Sequence, residues 1–182
     1  MDQLTLNRIK FLHPKVRDEV LKIYKEVNNL LGKNVRLRFT HTLRNFDEQN
    51  ALYAQGRTKM YDTQGKRLTK VTNAKGGQSI HNYGLAFDIT ILVDKDKNGS
   101  FESVSWDINA YNDANGLAEW LQVVKYFKSS GWIWGGDWKS FHDYPHFEKT
   151  FGHNWQSLQQ KYNSGDTFTE IIEGKIYKWV NL

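Results

Sequence analysis

Two short segments gather side chains that hold metals and move protons. One is Ser79-Ile80-His81-Asn82-Tyr83-Gly84-Leu85-Ala86-Phe87-Asp88; the other is Asp143-Tyr144-Pro145-His146-Phe147-Glu148. After Gly84, Leu85, Phe87, Ile89 and Ile91 repeat with period two, the signature of a strand with one apolar face. Asp88 then falls on the opposite face beside small Ala86. An aspartate in mid-strand is unfavourable by propensity, so it needs a partner. His81 precedes Gly84, where the chain is free to turn and bring the imidazole back over Asp88. In the second segment Pro145 forbids a regular helix. An extended run puts His146 and Glu148 on one face and Phe147 toward the core. Two histidines and one aspartate form a nitrogen and oxygen donor set that suits zinc with one position open for water. A separate carboxylate would supply the general base: Asp143, offset from His146 across Pro145, with Glu148 and Asp137 as competitors. Taken singly, each residue has a plainer reading. A lone histidine is usually a surface or core residue, and Asp88 taken alone has the plain reading of an ion pair with a lysine.

A third segment, Asp94-Lys95-Asp96-Lys97-Asn98-Gly99, begins like a calcium loop. Its twelfth position is Ser105 rather than a bidentate glutamate, and two lysines lie inside it. A turn between strands is the expectation.

The elements that must position these residues are readable from periodicity and punctuation. Val16, Val20, Ile23, Val27 and Leu30 form the stripe of an amphipathic helix, with Pro14 inside its start and Gly32 at its end. Val35 to His41 alternates as a strand. Asn45 caps a second helix, with Glu48 completing a capping box, and Gly56 stops it. Residues 57–78 read as a long polar loop. Leu85 to Val93 is a strand, Asp94 to Ser100 a turn, and a short strand follows to about Trp106. Asn112 or Asp113 caps a helix carrying Leu117, Leu121, Val124 and Phe127, closed by Gly131. Short strands are expected at Trp132 to Trp134 and Pro145 to Glu148, and a helix at Trp155 to Tyr162. Two β-rich runs around Glu173-Gly174 suggest a hairpin. Strands and helices mixed without a βαβ repeat predict an α+β fold, a small antiparallel sheet with flanking helices. With 182 residues, one domain spanning 1–182 is expected, its catalytic core at about 10–150 and the helix and hairpin at 155–182.

Composition excludes some chemistry. Cysteine is absent, which rules out disulfides, thiolate zinc sites and cysteine nucleophiles. The net charge of +5 is spread without a Lys/Arg block, so no nucleic-acid partner is expected. No stretch nears the ~18 apolar residues of a membrane span, so no stable membrane insertion is expected. No basic leader precedes an apolar run, which points to synthesis in the cytoplasm without a visible signal peptide.

His81-x-x-Gly84-x-Ala86-x-Asp88, followed by Asp143-x-Pro145-His146, resembles the zinc peptidase family of D-alanyl-D-alanine carboxypeptidases and dipeptidases of the vancomycin-resistance type. The nearest branch is that of the L-alanyl-D-glutamate endopeptidases of phage endolysins and bacilli wall enzymes. Arg44-Asn45-Phe46-Asp47-Glu48-Gln49-Asn50-Ala51-Leu52-Tyr53-Ala54-Gln55-Gly56-Arg57 and Gly131-Trp132-x-Trp134-Gly135-Gly136-Asp137-Trp138 extend the likeness over roughly residues 10–150. Asn45 departs from the serine of many relatives.

The resemblance implies the small α+β zinc-peptidase fold shared with the hedgehog signalling domain. It implies His81, Asp88 and His146 as zinc ligands and Asp143 as the catalytic acid/base. Arg44 would face the reacting carbonyl or a substrate carboxylate. For Trp138, Tyr144 and the loop before Ser79 two readings stand side by side: lining of the cleft, or packing alone. The implied protein is a monomeric peptidase of peptidoglycan stem peptides that reaches the cell wall by phage-type release or another route. Two alternatives stay open: a D,D- or L,D-carboxypeptidase or dipeptidase of the same superfamily, and a non-catalytic zinc-bearing wall-binding module.

Overall fold

A computed structural model describes residues 1–112 and 118–182. The described residues form two compact units: Met1–Thr42 with Ala86–Lys149, and Leu43–Leu85 with Thr150–Leu182.

The first unit opens with a helix absent from the sequence expectation, α1 (Gln3–Ile9). Asp2 caps it, its carboxylate accepting from the Thr5 amide and hydroxyl. Arg38 then grips the same carboxylate with two nitrogens, at 2.7 and 3.1 Å. Helix α2 (Pro14–Leu30) buries Val16, Val20, Ile23, Tyr24 and Val27, while Leu30 at its end is exposed. The strands of its sheet are β1 (Val35–His41), β2 (Ala86–Val93), β3 (Ser103–Ser105), β4 (Ile133–Trp134) and β5 (His146–Glu148). They run in the order β1-β2-β5-β4, with β3 paired to β2. The β1–β2, β2–β3, β2–β5 and β4–β5 pairings are all antiparallel, as expected for an α+β domain.

Strand β2 organises this unit. Phe87, Ile89 and Ile91 are fully buried. The Phe87 ring stacks on Phe39 at 4.3 Å and on Phe147 at 5.4 Å, with Phe127 and Trp132 each 4.8 Å away. Each aromatic side chain so buried contributes about 1.5–3 kcal/mol by leaving water.

Helix α4 (Glu119–Ser129) corrects the expected face. It buries Trp120, Val123, Val124 and Phe127 and leaves Leu121 exposed. Trp120 is the larger apolar group, and its indole Nε1–H finds an acceptor in the Ser105 carbonyl at 3.3 Å, so it takes the inside position. Ala118 stands at the N-cap with no side-chain bond. Asn112 does not cap; its backbone N–H and side-chain amide instead donate to the Glu119 carboxylate. Asp113 and Leu117 lie outside the described residues.

In the second unit, α3 (Phe46–Ala54) carries the expected capping box between Asn45 and Glu48. The 57–78 segment is not wholly irregular: Tyr61 and Arg67 pair as an isolated antiparallel bridge around a turn in which Asp62 accepts from the Gln64 and Lys66 amides. A 3₁₀ turn, Ile80–Tyr83, ends on Gly84 in the left-handed region at φ 67°. Helix α5 (Trp155–Ser164) brings Tyr162 to 4.9 Å from Phe46 and 6.4 Å from Tyr83. Strands β6 (Thr167–Ile172) and β7 (Lys175–Val180) form the C-terminal hairpin. Among the described residues no helix is long and apolar enough to cross a membrane.

Candidate metal centre

Strand pairing explains why Asp88 sits where it does. Across the β1–β2 ladder it faces His41, after a register shift between Phe39 and His41. Across the β2–β5 ladder it faces His146. The mid-strand aspartate therefore faces a histidine on each neighbouring strand. His146 Nδ1 lies 3.2 Å from Asp88 Oδ1, and His41 Nδ1 lies 3.9 Å from Asp88 Oδ2. His41 is more than half exposed and was not among the residues singled out by motif; its only sequence signal is its place at the end of an alternating strand.

Strand β5 alternates as expected. Phe147 is fully buried between His146 and Glu148, and those two share a face, with His146 Nε2 3.0 Å from Glu148 Oε2. Burial of the His146 imidazole opposes its charged form. The carboxylates of Asp88 and Glu148 outweigh that burial and raise its pKa to about 9. The pocket around this ring thus favours positive charge.

His81, Asp88 and His146 each bring one donor atom into a group whose members all lie within 4.8 Å of one another. Both histidines are buried and the aspartate half-buried. Two imidazoles and a carboxylate, converging out of water, are a donor set that fits zinc. His81 is supported locally. Its carbonyl accepts the Arg44 amide at 3.1 Å and the Gly84 amide at 3.2 Å. Its neighbour Asn82 is buried, accepts from the Gly77 and Ser79 amides, and donates to the Arg44 carbonyl at 2.8 Å.

Asp143 sits in a tight turn that leads into β5. Its carbonyl accepts the His146 amide and its amide donates to the Gly135 carbonyl, both at 3.1 Å. The Trp134 indole donates to the Tyr144 carbonyl at 2.7 Å, which pins the middle of the turn. Gly135 is in contact with this turn: a Cβ built there would lie 3.0 Å from Asp143 Cβ and 3.1 Å from His146 Cβ, and closer still to the Asp143 carbonyl. Trp138 lies with its ring centroid 5.2 Å from that of His146, and Tyr144 is exposed and stacked on His142. Of the competing carboxylates, Asp137 is engaged by Lys128 Nζ at 2.5 Å, and Glu148 by His146.

The Arg44 guanidinium donates from Nη1 to Gln49 Oε1 at 2.9 Å. Gln49 is completely buried and donates on to the Ala74 carbonyl at 2.8 Å, tying helix α3, Arg44 and the 72–74 segment together. Gln49 and Asn82 are the supporting residues that motif reasoning missed. Asn82 lies inside the His81-x-x-Gly84 run and Gln49 inside the Arg44–Arg57 run, but neither composition nor spacing assigns them a role.

A second carboxylate group stands at Asp94, Asp96 and Glu102, whose oxygens also approach within 4.8 Å. Glu102 is the ninth residue of that loop. Asp94 already accepts the Asn98 and Gly99 amides, as a turn requires.

Comparison with known proteins agrees with these motifs. Residues 72–149 match the family model described as D-alanyl-D-alanine carboxypeptidase. The chain is 41% identical over 137 residues to the peptidoglycan L-alanyl-D-glutamate endopeptidase CwlK of Bacillus subtilis (strain 168), covering 75% of this chain and 72% of that relative. The solved L-Ala D-Glu endopeptidase ChiX of Serratia marcescens is similar over 81% of this chain and 87% of that chain, with 21% identity and a TM-score of 0.49. Identity at the level of the Bacillus relative, over most of both proteins, makes this chain a member of the D-alanyl-D-alanine carboxypeptidase family of zinc metallopeptidases.

Proposed function

We propose that the protein is a zinc-dependent endopeptidase that hydrolyses the L-alanyl-D-glutamate bond of peptidoglycan stem peptides. The observation that carries the reading is the convergence of His81, Asp88 and His146, in a chain 41% identical to a peptidase of that specificity. In this reading those three residues hold the metal. Bound zinc supplies a Lewis acid for the scissile carbonyl and makes water nucleophilic near neutral pH.

The remaining chemistry belongs to the chain. Asp143 takes the proton from the attacking water and returns it to the departing amine. Its backbone is held on both sides by Gly135 and His146, which supports a fixed position for that exchange. Arg44 offers its guanidinium to the developing oxyanion or to a stem-peptide carboxylate, with Gln49 restraining it. The fold around β2 and β5 supplies rigidity, since a catalytic group misplaced by about 1 Å loses about 10²-fold in rate. The substrate lies outside the cell membrane, so the protein acts at the cell wall.

The test is hydrolysis of a synthetic stem peptide beginning L-Ala-D-Glu, followed by chromatography. The parent protein releases alanine, loses activity on chelation and regains it with zinc. His146→Ala neither binds zinc nor cleaves. Activity that survives complete metal removal, or a peptide shortened only at its D-alanyl end, refutes the proposal; the second outcome would favour the carboxypeptidase reading that the family model's description suggests.

A further inference from the structure

The two ring nitrogens of His146 face different carboxylates. Nδ1 lies 3.2 Å from Asp88 Oδ1, and Nε2 lies 3.0 Å from Glu148 Oε2. Asp88 belongs to the converging donor group with His81; Glu148 does not. The nitrogens of an imidazole point away from each other, so one ring cannot offer both to a single ion. Nδ1 is the nitrogen on the side of the converging donors.

Glu148 is built to stay where it is. It shares the strand face of His146, two residues on, with fully buried Phe147 locked between them. Its backbone pairs with Ala86 on one side and Ile133 on the other, so it sits inside the sheet rather than on a free edge. Its side chain is only 18% exposed.

From this juxtaposition we infer that Glu148 is a positioning residue of the metal centre: its carboxylate accepts the Nε2–H of His146, fixing the ring's tautomer and orientation and leaving Nδ1 as the nitrogen that binds the metal. The inference rests on the reading of His146 as a ligand. It also separates Glu148 from the general-base role for which it competes with Asp143. An outer carboxylate of this kind orients a ligand and raises its basicity, and its loss typically costs 10–100-fold in metal affinity. A lost general base instead costs about 10²–10⁴-fold in turnover and leaves affinity intact.

The experiment is zinc affinity by competition with a chromophoric chelator, on the parent, Glu148→Gln and Glu148→Ala, with turnover then measured at saturating zinc. The expected result is a 10–100-fold weaker affinity in Glu148→Ala, a smaller loss in Glu148→Gln, whose amide oxygen still accepts from Nε2–H, and a turnover loss smaller than that of Asp143→Asn. Parental affinity in both variants overturns the inference. Nitrogen NMR of the zinc-loaded parent gives an answer that needs no variant to fold: a protonated Nε2 and a metal-bound Nδ1 on His146 support it, and the reverse overturns it. A parent protein that binds no zinc would refute the metal centre itself, a result distinct from either of these.

Discussion

Gly135 offers a way to disturb the site without touching a charged or metal-binding group. Its φ is not in the left-handed region, so alanine is not excluded by backbone conformation. The obstacle is steric. A methyl group there would sit 3.0 Å from Asp143 Cβ and 3.1 Å from His146 Cβ, where carbon atoms prefer about 3.5–4.0 Å. It would press hardest on the Asp143 carbonyl, a backbone atom that cannot rotate away and that already holds the His146 amide at 3.1 Å. Relief therefore requires the turn from Asp143 to His146 to move by about half an ångström to one ångström. Overpacking of this kind costs about 1–3 kcal/mol. For a chain of this size that is a fall in Tm of about 2–12 °C. Because the turn carries both the proposed base and a proposed ligand, kcat/KM should fall by about 10²-fold at a temperature where the variant is fully folded. The assay is calorimetry of Gly135→Ala with parallel peptide hydrolysis. An unchanged Tm and unchanged kcat/KM would refute the claim that Gly135 is a steric spacer for the site.

Three further outcomes follow from the structure. Phe87→Ala removes the ring at the centre of the aromatic cluster and should destabilise the protein by about 3–5 kcal/mol in denaturant titration. The Asp2 carboxylate is raised by burial but lowered more by Arg38 and Thr5, so its pKa lies below its ordinary value. Its stabilising effect is complete above about pH 4 and fades as pH falls through the lowered pKa. Asp2→Ala, which also loses the helix cap, should therefore cost about 0.5–2 kcal/mol at pH 7 and much less near pH 2, a difference read from unfolding curves at the two pH values. Arg44→Lys keeps the charge but loses the planar fork that meets Gln49, so peptide turnover should drop more than tenfold with zinc content unchanged.

The residues that could be read from sequence are those whose position follows from a short period. Asp88, His146 and Glu148 lie on strands, where alternation decides which face each side chain takes, and Phe87 and Phe147 mark the other face. The second helix was legible because Asn45 and Glu48 satisfy its first amides reciprocally. Helix α1 was not, because seven residues give too little periodicity and its cap residue Asp2 is held in place by Arg38, far away in the chain. The face of α4 departs from the sequence expectation because adjacent Leu121 and Trp120 compete for the core, and the larger indole is buried with an acceptor for its N–H at the Ser105 carbonyl. Gln49, Asn82 and His41 escaped notice because their roles depend on partners brought close by folding, with no spacing rule to announce them. Glu148 was visible as a carboxylate on the right face; only the direction of the His146 ring distinguishes an orienting group from a base.

The proposed reaction is hydrolysis of the L-alanyl-D-glutamate bond by a zinc centre with Asp143 as its base. The most direct measurement is mass spectrometry of fragments from purified peptidoglycan, with labelling of new amino termini, for the parent and for Asp143→Asn at equal zinc content. The parent is expected to leave glutamate as the new amino terminus and alanine on the glycan strand, and Asp143→Asn to give about 10²–10⁴-fold less of both. Loss of terminal D-alanine alone, or equal cleavage by the two proteins, would contradict the proposed reaction.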